Sequence, residues 1–377
     1  MADPGSLPRA LAATPAGKPR ARSLGIPFGG TPGPWNAITD VTGVQVGYVT
    51  LIEGDSVRTG VTGIHPRGPE GATDPVAAGY FSQNGNGEMT GIPWITESGT
   101  FCLPIAITTT HAVGIAHAGI VAWTAKHHPE RGEAWSLPVA AETWDGYLND
   151  TSGHRITEAT VIAALEAAHS GPIEEGSVGG GTGMNCYQFK GGNGTASRTV
   201  RHDSTTYTVG VFLQANFGDR WELTLSGLPL GEMLAADNPI AGHSPAPPGA
   251  GSVIAIVATD APLLPHQCAA MARRVTLGLA RTGTAGSHYS GDLFLAFSTG
   301  NPGAFSPYHR HAEERAYDQL TFIPWGFMNP FFAAVVQATE EAVANALVAN
   351  EEMTGRDGHR SPALPRDRVA ALFRDRV

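Results

Sequence analysis

Ser252 stands where a turn-rich connection, residues 238–251 (NPIAGHSPAPPGAG), meets the apolar run Val253 to Ala258. The run is made of small and β-branched residues and reads as a strand buried on both faces. The connection holds four prolines and three glycines without periodicity and reads as a mobile surface segment. A small nucleophile at such a place is either an ordinary loop-to-strand junction or a point where the chain cuts itself and leaves a new N-terminal serine. The second reading carries definite chemistry. A freed α-amine has a pKa of about 7.7–8.0, so it can take the proton of its own hydroxyl without a histidine. The Gly251/Ser252 bond must break first, because an amide nitrogen is not a base, and Gly251, lacking Cβ, lets the hydroxyl approach its carbonyl.

Other candidates lie far from Ser252 in sequence. Asn216 ends the strand-like run 207–216 (YTVGVFLQAN), where its amide either caps the strand or donates to a developing oxyanion. Glu142 lies among apolar and aromatic residues (ETWDGYLND, 142–150), as either a cation-holding acid or an exposed helix acid. Ser290-Gly291-Asp292 either orients an amine through its hydroxyl and carboxylate or is a simple turn. The histidines are scattered, and pairs such as His127/His128 and His309/His311 lack the spacing of a metal site, so neither metal nor cofactor is expected. Residues 176–183 (GSVGGGTG) lack the Lys-Ser/Thr of a phosphate loop and read as closely packed backbone.

The elements that must position these residues change character along the chain. Short strands are expected at 44–52, 58–65, 77–81 and 104–110. A short helix is expected within 137–148, and a clearer one over 157–169, capped by Thr157. The glycines and asparagines of 83–90 (QNGNGEMT) read as turns with positive φ. Strands at 207–216, 253–258 and 292–299 follow, with helices over 265–281, over 330–354 from a cap at Asn329, and over 367–376. Grouped strands and grouped helices point to an α+β fold, with helices outside stacked sheets.

Composition narrows the class. The chain has 377 residues, 42% hydrophobic and 15% charged, with 48 glycines and 28 prolines, which suits a compact fold rich in tight turns. A net charge of -10 argues against a nucleic-acid partner. Three widely spaced cysteines fit a reducing compartment better than a disulfide framework. Residues 1–23 hold no apolar run suited to a signal or a membrane span and read as a disordered tail, with 24–377 as one domain of a cytoplasmic protein.

Several segments in order resemble the family of L-aminopeptidase/D-esterase/amidases and β-aminopeptidases, self-processing serine hydrolases with a nucleophile at a new N-terminus. They are TPGPWNAITD (31–40), NGNGE (84–88), 142–150, 179–183, Gln214-Ala215-Asn216, ATDAPL (258–263), 271–279 and VQATEE (336–341). The resemblance implies a four-layer αββα sandwich cleaved at Gly251/Ser252 into chains 1–251 and 252–377 and assembled into homo-oligomers. It assigns Ser252 as nucleophile and base, Asn216 to the oxyanion hole, Ser290 and Asp292 to positioning the amine, and Glu142 to the substrate's free amino group. Its substrates would be short peptides and amino-acid amides or esters. Two departures stand out. The family usually has Glu at the position of Asp292, so the carboxylate is expected to fall short unless backbone or water compensates. Trp144 replaces a Tyr or aliphatic residue, and its bulk is expected to narrow the acyl pocket. The alternatives are a weak or inactive amine-binding homologue and a related acyltransferase, the latter disfavoured because it uses threonine.

Overall fold

The computed structural model describes residues 7–131, 137–242, 251–305 and 317–375. Its strands are β1 (Gln45–Glu53), β2 (Val57–His65), β3 (Val76–Gly85), β4 (Thr100–Phe101), β5 (Ile105–Thr109) and β6 (Val139–Thr143), then β7 (Asn185–Cys186), β8 (Phe189–Lys190), β9 (Gly192–His202), β10 (Thr205–Asn216), β11 (Gly251–Thr259) and β12 (Ser290–Ser298), with a short pair β13 (Met353–Thr354) and β14 (Arg360–Ser361) after the last long helix. The helices are α1 (Arg9–Ala12), α2 (Ile92–Ser98), α3 (Val113–His127), α4 (Glu158–Glu166), α5 (Leu230–Met233), α6 (Pro265–Ala280), α7 (Asn329–Val348) and α8 (Arg366–Arg374).

Two sheets form the centre, one in the order β1-β2-β5-β6 and the other β4-β3-β12-β11-β10-β9. Their facing sides share one core, built from Val46, Ile64, Ile107 and Ala141 of the first and Phe212, Ile254, Ile256 and Leu295 of the second. Outside the first sheet, Ala106 and Ala140 pack on Ile120 and Trp123 of α3 and Leu165 of α4. Outside the second, Val253, Ala255 and Val257 pack on Met271 and Val275 of α6 and Val335 and Val343 of α7. Side chains of a strand alternate between faces, so each central strand feeds two cores, and the layers run αββα.

Each sheet contains one parallel pair made by a helical crossover: β5 to β6 through α3, and β11 to β12 through α6. A crossover returns the chain to the same end of the sheet, so the two strands of a pair start side by side. This places the beginning of β11, at Ser252, next to the beginning of β12, at Ser290.

Three expectations need correction. Residues 137–148 hold the strand β6, not a helix; Val139–Thr143 is buried throughout, and a short run buried on both faces lacks the period that would reveal it. Helix α7 begins at Asn329 itself and stops at Val348, well before Gly355. There Asn350 turns the chain by donating to the carbonyls of Ala346 (2.5 Å), Gly191 (2.9 Å) and Lys190 (3.1 Å).

Residues 7–23, finally, are ordered, while 1–6 lie outside the described residues. Arg20 is buried and paired with buried Glu175 (Nε to Oε2, 2.7 Å), and it also donates to the carbonyls of Asn36 (2.8 Å) and Thr195 (3.0 Å). Arg22 joins Arg198 on Glu341 of α7, at 2.6 and 2.7 Å. Burial pushes the Glu341 carboxyl up, but the charges of Arg198 and Arg22 outweigh it and hold the group below its usual range. Most of the connection before Ser252, residues 243–250, and the pair His309/His311 lie outside the described residues. Removing one partner of a buried pair strands the other charge. Arg20→Ala should therefore lower the unfolding free energy by about 3–5 kcal/mol in denaturant titrations, and a loss near zero would mean that the N-terminal segment merely rests on the fold.

Candidate active site

The register of β11 brings the dispersed candidates together. Antiparallel pairing with β10 sets Asn216 opposite Ser252. Parallel pairing with β12 sets Gly251 beside Ser290, Ser252 beside Gly291 and Val253 beside Asp292. By the two-residue period, Ser252 continues the face of Ile254 and Ile256, between the sheets, whereas Ser290 and Asp292 continue that of Phe294 and Ala296, toward the helices. The serine hydroxyl and the Ser290–Asp292 pair thus leave the sheet on opposite sides, with the backbone at the start of β11 between them. Gly251 is required there by space: a β-carbon on it would lie 2.3 Å from the carbonyl oxygen of Asn216.

Ser252 lines a cavity of about 420 Å³ together with Gly85–Glu88, Thr110, Glu142, Trp144, Gly251 and Tyr289. It is 3% exposed, and its hydroxyl has no hydrogen-bond partner among the described residues. A larger cavity of about 530 Å³, around Thr59, His111 and Arg155, is not lined by Ser252.

Glu142 is a buried strand residue near the end of β6, not an exposed helix acid. Its Oε1 accepts from the Glu88 N–H (2.9 Å) and its Oε2 from the Thr110 hydroxyl. Burial raises its pKa, the Thr110 and Glu88 hydrogen bonds oppose this, and the charges of Glu88 and Asp145 add to the rise. A carboxylate so placed gains from a cation in the cavity, which would offset its desolvation.

Asn216 has a fixed orientation. Its Oδ1 accepts from the Asn185 N–H (2.9 Å), and its Nδ2 donates to the Trp144 carbonyl (2.8 Å), leaving a second amide hydrogen without an acceptor among the described residues. The Trp144 indole lies over Gly146, where a β-carbon would come within 2.4 Å of Cζ2. The shorter side chain of Asp292 still reaches its serine partner: Ser290 Oγ donates to its Oδ1 at 2.5 Å and Asn84 Nδ2 to its Oδ2 at 2.8 Å. Burial raises the Asp292 pKa, and the Ser290, Asn84 and Val253 N–H hydrogen bonds oppose that rise.

Asn84 and Thr110 received no role from the sequence. Asn84 reaches Asp292 because a bulge at Gln83 shifts the register of β3 against β12. The Asn-Gly-Asn-Gly stretch was the available signal, but neither glycine has positive φ, and only Gly87 serves close approach. A β-carbon on Gly87 would lie 3.0 Å from Gly291 Cα and 3.1 Å from Glu142 Oε1, so this loop joins the two sheets across the cavity. The glycines at 180, 181 and 183 are likewise packing positions, with a β-carbon meeting Gln214 Oε1, Asn193 N and Arg58 O within 2.5 Å.

Residues 36–361 match peptidase family S58. The chain is 46% identical to beta-peptidyl aminopeptidase BapA of Sphingosinicella microcystinivorans, covering 94% of this chain and 92% of that protein. Among solved structures, the L-aminopeptidase D-Ala-esterase/amidase of Ochrobactrum anthropi, described as a variant of the Ntn-hydrolase fold, matches with a TM-score of 0.88 and 42% identity over 95% of this chain and 99% of that one. A Burkholderia sp. beta-aminopeptidase matches with a TM-score of 0.85 and 44% identity over 94% and 98%.

The environment of Glu142 sets a pH-dependent expectation. Its pKa is raised by burial in the folded state, so the folded chain takes up that proton at a higher pH than the unfolded chain. The ionised form therefore costs stability at neutral pH, and the cost disappears as pH falls through the folded pKa toward the unfolded value of about 4.3. Glu142→Gln should melt higher than wild type at pH 7, with the difference shrinking on acidification; an equal or lower melting temperature at pH 7 would contradict the assigned environment.

Proposed function

The chain belongs to peptidase family S58, and on that premise we propose that Ser252, freed by cleavage of the Gly251/Ser252 bond, releases unblocked N-terminal residues from short peptides, amino-acid amides and esters. The enzyme is a serine aminopeptidase of the N-terminal-nucleophile type. The observation that carries the assignment of residues is the unpartnered Ser252 hydroxyl lining the same cavity as the buried carboxylate of Glu142.

In this reading the Ser252 hydroxyl first attacks the Gly251 carbonyl, the acyl group shifts from nitrogen to oxygen and so frees the α-amine, and water cleaves the resulting ester to restore the hydroxyl and release Gly251 as a carboxylate. In turnover the amine accepts the Ser252 proton as Oγ attacks the substrate carbonyl. The oxyanion accepts a hydrogen bond from the second N–H of Asn216 Nδ2. The ammonium then returns its proton to the leaving amine, and water resolves the acyl-serine. Ser290 and Asp292 hold the Ser252 amine at the start of β11. Glu142 pairs with the substrate ammonium, which explains the need for an unblocked terminus, and Trp144 limits the size of the acyl part. The direct contact of Asp292 with Ser290 at 2.5 Å supports a working site over a decayed one.

Names of relatives 42–46% identical include L-, D-Ala- and β-residue activities. We take N-terminal β-amino residues to be within the substrate range. Buried Cys186 and Cys268, which form no disulfide, fit a cytoplasmic enzyme, and exposed Phe322, Trp325 and Phe327 fit assembly of processed units into a homo-oligomer.

Mass spectrometry of purified wild type should show two chains meeting at Gly251/Ser252, and Ser252→Ala should stay uncut and inactive; an intact wild-type chain that still hydrolyses amides would exclude the mechanism. Asn216→Ala, once processed, should lose about 10²–10³ in kcat. Turnover of matched L-Ala, D-Ala and β-Ala amides ranks the substrates, and no activity on the β-Ala amide would remove β-amino residues from the range.

A further inference from the structure

Lys190 is fully buried and forms no ion pair among the described residues. A buried, unpaired ammonium is costly. Burial and, to a smaller degree, the charge of Lys18 lower its pKa to about 7, against the opposing pull of Cys186 and Asp145. Its hydrogen bonds go to backbone carbonyls: Nζ donates to Met184 O at 2.7 Å and Gly191 O at 2.8 Å.

The first of these carbonyls belongs to the peptide unit whose N–H is that of Asn185. That N–H donates to Asn216 Oδ1 at 2.9 Å. The ammonium of Lys190 is therefore linked, through one peptide group, to the acceptor side of the amide that faces the nucleophile from across the sheet. The linkage is built into the fold. β7 and β8 form a two-residue hairpin that sets Asn185 opposite Lys190, and its turn residues Tyr187 and Gln188 both have positive φ, as a tight hairpin requires. Arg220 holds the turn by donating to the carbonyls of Tyr187 (3.1 Å) and Gln188.

We propose that Lys190 is a positioning residue of the oxyanion hole, its charge polarising the Met184–Asn185 peptide so that Asn216 is locked in orientation and donates more strongly from Nδ2. A positive charge on a carbonyl makes the N–H of that peptide a stronger donor, and a stronger bond to Oδ1 draws electrons from the amide and makes its N–H groups stronger donors in turn. The same bond prevents the amide from turning over, because a flipped Asn216 would set NH₂ against the Asn185 N–H. The gain appears only when charge develops on the substrate oxygen, so it belongs to kcat and not to KM. The inference rests on the reading of Asn216 as oxyanion donor.

The test is a double-mutant cycle on processed enzyme, with processing checked by mass. Lys190→Met should lower kcat about tenfold with KM within about twofold. In an Asn216→Ala background the same substitution should change kcat less than about twofold, because the relay has lost its end. An equal loss in both backgrounds, or full kcat in Lys190→Met alone, overturns the proposal. Unchanged kcat in Asn216→Ala alone overturns the reading of Asn216 and the relay with it, so the two failures are distinguishable. If Lys190→Met does not fold, asparagine-selective ¹⁵N labelling of the wild type decides the matter. The Asn185 amide proton and an Asn216 side-chain proton should both lie downfield of the other asparagine signals of their type, and ordinary positions for both overturn the proposal.

Discussion

Strand β11 is held in register by an antiparallel neighbour on one side and a parallel neighbour on the other, and the site depends on that double constraint. Its first residues have no freedom to slip. A shift by one residue would turn Ser252 toward the helices and Val253 into the cavity, exchanging the two cores that Ile254, Ile256, Ala255 and Val257 fill. Gly251 tightens the constraint, since its Cα packs against the Asn216 carbonyl with no room for a side chain. The same backbone pairing thus sets Ser252, Asn216 and the Ser290–Asp292 pair on neighbouring strands.

Two sets stand out among the buried charges. Glu175 and Glu341 are matched by Arg20, Arg22 and Arg198, and those pairs pin the N-terminal segment and α7 to the second sheet. Glu142 and Asp292 have no cationic partner among the described residues and are held by neutral donors: Thr110 and the Glu88 N–H for one, Ser290, Asn84 and the Val253 N–H for the other. Burial raises the pKa of both. In the proposed mechanism the cations for these two carboxylates arrive later, as the substrate's ammonium and the amine released at Ser252. The site carries a stability cost that a purely structural core would avoid, a common signature of function.

Local signals in the chain carried unevenly into the fold. The helices over 158–166 and 265–280 announced themselves through a Thr cap and an early proline, and the strands at 45–53 and 205–216 through pattern and composition. β6 did not, because burial on both faces erases alternation in a five-residue run. The N-terminal segment looked disordered by composition, and only distant Glu175 and Glu341 show what its arginines are for. The roles of Asn84 and Thr110 were equally hidden, since a bulge in one strand and the packing of two sheets decide which carboxylate each meets.

By itself the sequence determined the chemistry on offer: a serine behind a glycine at the head of an apolar strand, an amide at a strand end, isolated acids, and the ordered segments that mark the family. Tertiary structure alone decided that Asp292 reaches Ser290 despite its shorter side chain, that Glu142 is buried on a cavity wall, and that Lys190 stands behind Asn216. The physical reason is range. Side-chain chemistry and local backbone preference are properties of neighbours in the chain, whereas desolvation, register and hydrogen-bond partnership depend on groups brought together only when both sheets close on their shared core.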